Sequence, residues 1–80
     1  MGANTMNIAR SVFLESEIGA IEELPRSGSA LENPFVFDAV ANDLKRMAVS
    51  GLLEIVDERR TRAGPDTLID SIRYRRLRQG

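Results

Sequence analysis

The chain has no cysteine, no histidine and no tryptophan. Without cysteine there is no disulfide framework and no thiolate zinc site, and without histidine the usual imidazole ligand and general base are missing as well. No catalytic residue, metal ligand or cofactor site is expected from such an inventory, and the chain is read as a non-enzyme. Aromatics are sparse, only Phe13, Phe35, Phe37 and Tyr74. Apolar runs are only a few residues long, far short of the roughly 20 that cross a bilayer. The N-terminus shows no basic-then-apolar signal pattern. The expectation is a cytoplasmic protein with no membrane partner.

What is present is an ordinary globular composition, 42% apolar over 80 residues, which fits one domain near the lower size at which a core is self-sufficient. Residues 1–6 read as a flexible leader and 7–80 as a single domain. The net charge of -1 conceals a division: through Asp43 two basic residues face seven acidic ones, and from Leu44 onward nine basic face five acidic. Such asymmetry points to an interaction surface, the basic half facing a polyanion and the acidic half facing solvent or a protein.

From Asn7 to Leu24 helix formers predominate, with Leu14, Ile18, Ile21 and Leu24 at three- and four-residue steps, which predicts a first helix over 7–24. Gly19 weakens its middle and Pro25 ends it. "PRSGSALENP", residues 25–34, is connector chemistry, with room for one helical turn where Ser29 and Glu32 have capping-box spacing. A second helix is predicted over 34–50: Asn33 caps, Pro34 suits the first position, and Phe37, Val40, Ala41, Leu44, Met47 and Ala48 form an apolar stripe. Its other face carries Asp38, Asn42, Lys45, Arg46 and Val49. Ser50-Gly51 supplies a sharp stop. Beyond it, "LLEIVDERR" and "LIDSIRYRRLR" alternate as strands around Gly64-Pro65-Asp66, predicting a hairpin of about 52–61 and 67–77; Val56 breaks the first alternation, and Leu68, Ile72 and Tyr74 share one phase of the second. The fold class is therefore α+β, two main helices packed on a C-terminal β-hairpin.

The stretch "DLKRMAVSGLLEIVDERRTR" resembles the end of the recognition helix and the start of the wing in winged helix-turn-helix domains: a basic pair on a leucine-spaced helix, a small residue and glycine, then a Leu-rich strand running into a basic wing. The resemblance covers residues 37–77. It implies a winged-helix-like DNA-binding module that regulates transcription, with the family's second helix reduced to whatever residues 26–33 can hold.

The candidate nucleic-acid-binding residues are Asn42, Lys45, Arg46, Arg59, Arg60, Arg62, Arg73 and Arg75. Arginines and lysine meeting phosphates release counterions and give salt-sensitive affinity without sequence reading. Asn42 is the one helix residue suited to pairing with a base, adenine by its amide geometry. Hairpin pairing is expected to bring the two arginine groups together. Two partners come under consideration: double-stranded DNA, bound as a homodimer, or a partner protein docking on the acidic helix face of Glu15, Glu22 and Glu23. The alternative function is thus a protein–protein interaction adaptor without nucleic-acid binding, in which Asp57, Glu58, Asp66 and Asp70 neutralise the arginines locally. "RSGSALE" lacks the lysine-serine/threonine ending of a phosphate loop. Tyr74 in an apolar phase reads as packing, since one aromatic makes a poor stacking platform for bases.

Overall fold

The computed structural model describes residues 5–25 and 30–79. In chain order the elements are α1 (Thr5–Glu15), β1 (Ile21–Glu23), a 3₁₀ turn (Ala30–Glu32), α2 (Pro34–Val49), β2 (Leu53–Ala63) and β3 (Asp66–Arg76). The architecture is α+β: two helices on one face of a three-stranded antiparallel sheet in the order β1-β3-β2. Of the expected leader, residues 1–4 lie outside the described residues, and Thr5 and Met6 open α1. Ser29, expected to cap the connector's turn, also lies outside them.

α2 forms from local signals alone. The Asn33 side chain accepts from the backbone N–H of Phe35 (2.9 Å) and Val36 (3.3 Å), satisfying two of the donors that open every helix. Phe37, Val40, Ala41, Leu44 and Met47 are its buried stripe. At its other end Gly51, at φ 83°, donates to the Ala48 carbonyl (3.0 Å), and Leu52 donates to that of Met47 (3.2 Å). These two bonds make a Schellman stop, which turns the chain directly into β2.

The predicted helix over 7–24 is corrected: α1 ends at Glu15. The Ser16 N–H and hydroxyl both donate to the Phe13 carbonyl (3.2 and 2.6 Å), which terminates the turn. Gly19 then takes φ 88° and donates to the Arg76 carbonyl (2.8 Å), and Ile21–Glu23 becomes the strand β1 beside β3. Sheet pairing with a strand some fifty residues away overrides the helix propensity of the glutamates. The apolar stripe shifts accordingly. Leu14, Ile18 and Ile21 are about half exposed, and the first segment reaches the core through Ala9, Phe13 and Leu24.

The hairpin is longer at its tip than predicted. Gly64 at φ 65° followed by Pro65 makes the two-residue connection, glycine where φ is positive and proline where it is negative, the signature of a type II′ turn. Register shifts make Val56 on β2 and Asp70 on β3 extra residues in the ladder. The Val56 shift accounts for the broken alternation. The Asp70 shift brings Ile69 into the core with Ile72 and Tyr74; Leu68, expected in that phase, is buried but outside the core cluster.

Candidate nucleic-acid interface

Directly paired cross-strand residues share a sheet face, so the register sorts the arginines. Ile55, Glu58 and Arg60 pair with Tyr74, Ile72 and Ile69, all three of which are core residues; these β2 side chains therefore face the helices. Arg62, two residues beyond Arg60 and opposite Thr67, keeps that phase. Glu54, Asp57 and Arg59 pair with Arg75, Arg73 and Ser71 and face outward.

On the helix side, Glu58 bridges α2 and β2. Lys45 Nζ lies 3.0 Å from Glu58 Oε1 and 3.3 Å from Oε2, and Arg60 Nε lies 3.0 Å from Oε2. The Lys45 hydrogen bond is the main cause that holds the Glu58 carboxyl below its ordinary range, assisted by Arg60 and opposed by partial desolvation. Arg46 pairs with the buried Asp43 one turn earlier on α2. Asn42 is engaged as well: its Nδ2 donates to the Asp38 carbonyl (3.0 Å) and to Asp38 Oδ2 (3.3 Å). Asp38 in turn accepts at Oδ1 from the Ile69 N–H (2.8 Å), tying α2 to β3 beside the Asp70 bulge. Arg62 makes no ion pair with any described residue. Around these groups α2 presents a concave strip running from Asp38 through Asn42 to Arg46 and Val49.

The outward face is a lattice of alternating charge. Arg75 lies between Ile21 and Glu54 and bonds Glu54 at 2.7 Å; Arg73 lies between Glu23 and Asp57 and reaches Glu23 at 4.0 Å. Arg59 shares a surface hollow with Asp57, Asp70 and Arg73. Hairpin pairing thus sets Arg73 and Arg75 of β3 against acids, and the expected gathering of the two arginine groups is reduced to Arg59 beside Arg73. The eight candidate residues divide into Asn42, Lys45, Arg46, Arg60 and Arg62 on the helix side and Arg59, Arg73 and Arg75 on the outer face.

The acidic helix face also dissolves. Glu15 ends α1, but Glu22 and Glu23 lie in β1, where Glu22 pairs with Tyr74 and Glu23 with Arg73. Sequence reasoning missed Asp38 as a tie between helix and sheet, and it missed Arg76, counted among the basic residues but buried among backbone carbonyls. It assigned Phe35 to no face of α2, where that ring is 59% exposed; Val49, expected opposite the apolar stripe, is 90% exposed. The spacing of Phe35, Ala39, Asn42, Arg46 and Val49, alternating steps of four and three, carried that signal.

No helix among the described residues is long and apolar enough to cross a membrane. Comparison with known proteins finds no matching family model, no matching curated protein and no matching solved structure.

Proposed function

We propose that the chain is a small winged-helix-like module that binds double-stranded DNA through its phosphate backbone, a binding rather than a catalytic protein. The element order supports this reading: a helix, a short strand, a single turn, a capped helix and a hairpin, with the short strand on the far side of the last one. The observation that carries it is the Glu58 bridge. By joining Lys45 of α2 to Arg60 of β2 it makes one continuous face of the helix and hairpin cations, with Arg46 beside it and Arg62 further out along the arm.

The mechanism is electrostatic. Arg60 and Arg62, the more exposed cations, turn to phosphates at little cost, since exposed ion pairs are worth only about 0–1 kcal/mol. Lys45 and Arg46 keep their bonds to Glu58 and the buried Asp43 and offer phosphates their remaining donors. Asp38, Asp43 and Glu58 lower the net charge of the same face, so affinity is modest and strongly salt-dependent. Asn42 reads a base only by giving up its bonds to Asp38, so sequence discrimination is weak. Four phosphate contacts give a slope of log K against log salt of roughly -3 to -4. Titration of mixed-sequence duplex at low and moderate salt tests this, and absence of binding at low salt rejects it.

A second reading has its own support. Lys45, Arg46, Arg60, Arg73 and Arg75 all sit against carboxylates, and α2 exposes Phe35 and Val49. That is the dress of a protein-interaction adaptor, whose docking face would be α2. The same titration separates the two, since the adaptor has no salt-dependent duplex affinity.

A further inference from the structure

A further cavity, of about 530 Å³, lies against the Ser50-Gly51 joint, with Ser50 and Leu52 in its lining. Its volume is in the range of roughly 300–1,000 Å³ usual for small-molecule sites. One wall is a single face of α1, since Met6, Arg10, Phe13 and Leu14 follow each other at helical steps of four, three and one. The opposite wall is the end of α2 and the joint, with Met47 and Leu52 supplying apolar surface. Gln79 closes one end, held there because Arg76 bonds the Arg78 and Gln79 carbonyls and fixes the tail against the end of α1.

The chemistry of this lining is one-sided. Its floor is thioether, aliphatic and aromatic; its charged members are Arg10 and Arg46; and among the described residues no acidic side chain lines it. Arg46 has Asp43 as partner, but Arg10 makes no ion pair with any described residue. An apolar floor excludes water and so strengthens any charge-assisted bond made at its edge. A neutral hydrocarbon would leave the guanidiniums unused, and a small hydrophilic anion would leave the floor unused. We infer that this cavity is a binding site for a small amphipathic carboxylate, whose hydrocarbon or aromatic body fills the floor between α1 and the joint and whose carboxylate meets Arg10, with Arg46 as second donor. The site shares Arg46 with the proposed DNA-binding face, but Arg10 and the apolar floor are no part of that face, and the assignment does not rest on the DNA-binding reading.

The probe is octanoate, with octanol as its uncharged counterpart, titrated into the full chain by calorimetry and followed by amide chemical shifts in the absence of nucleic acid. Octanoate is expected to bind one to one, moving amides of α1, residues 46–52 and Gln79. Octanol is expected to bind about tenfold more weakly, the value of one charge-assisted contact of about 1.4 kcal/mol. Arg10→Gln, at an exposed position whose loss leaves the core intact, is expected to weaken octanoate about tenfold as well and leave octanol unchanged. Equal affinity for the two probes, undiminished octanoate binding by Arg10→Gln, shifts confined to other parts of the chain, or no binding by octanoate would each overturn the assignment.

Discussion

The guanidinium of Arg76 lies over the ring of Phe13, 4.4 Å from its centroid, and both side chains are buried. Arg76 makes no ion pair with a described carboxylate. Its donors go to main-chain carbonyls: Leu14 (3.3 Å) and Ser16 (2.9 Å) at the end of α1, and Arg78 (2.6 Å) and Gln79 in the tail. A cation at a helix C-terminus meets the negative end of the dipole, so this arrangement caps α1 and pins the tail together. Arg76→Met is expected to cost roughly 2–4 kcal/mol, because it strips buried carbonyls of their donors, and Arg76→Lys to recover only part of that because an ammonium lacks the fork. Urea unfolding of the three proteins measures it.

Tyr74 supplies a pH prediction. Burial, with smaller contributions from Glu22 and Glu15, pushes its hydroxyl up to about 12 from 10.0. The unfolded chain then ionises first, and stability that is complete below pH 10 is lost as pH rises toward 12, by at most roughly 2–3 kcal/mol. Tyr74→Phe should lack this step. As the chain has a single tyrosine and no tryptophan, tyrosinate absorbance reports the ionisation directly.

Glu58 separates the two functional readings by mutation. Glu58→Gln removes a negative charge and releases Lys45 and Arg60 together. Under the DNA reading, duplex affinity at low salt rises by roughly threefold to tenfold. Under the adaptor reading the variant, like the parent, binds no duplex, and fluorescence anisotropy of labelled DNA decides between them.

Gly51 has φ 83°, and a Cβ there would come no closer than 3.8 Å to the Arg78 side chain. The cost of Gly51→Ala is therefore conformational rather than steric, about 1 kcal/mol for a left-handed alanine. Urea unfolding should show the midpoint shifted with the slope unchanged.

Asp38→Asn keeps the side chain's shape but removes the charge that strengthens its bonds to the Ile69 N–H and Asn42. A loss of about 1 kcal/mol is expected, and the Ile69 amide should lose protection against hydrogen exchange ahead of its neighbours on β3.

How much of this was legible in the sequence depended on distance along the chain. α2 could be bounded closely because Asn33, Pro34, its apolar stripe and Ser50-Gly51 all act within a few residues of one another. The hairpin was visible in its alternation. β1 was hidden because nothing local in Ile21-Glu22-Glu23 favours a strand; what makes it one is Arg73–Arg75 of β3. The basic residues of the candidate site could be counted from the sequence, but not assigned to faces. That assignment crosses two register shifts. Val56 announces one by breaking its pattern, whereas Asp70 conceals the other because Leu68 and Ile69 on its near side are both apolar and either fits the core phase.

The two bulges also govern which changes of length the hairpin tolerates. Val56 is an extra residue on β2 and Asp70 an extra residue on β3, so the pairing slides by one over the middle of the arm and returns to its original offset beyond it. The ladder toward the tip depends on that cancellation. A residue added to either strand between them, unless it is itself absorbed as a bulge, would exchange Arg60 and Arg62 with Arg59 and Thr61 across the sheet. Insertions and deletions in the arm are consequently constrained to come two residues at a time on each strand, which keeps both the pairing and the faces, and a single frame slip would redraw the surface without altering one side chain.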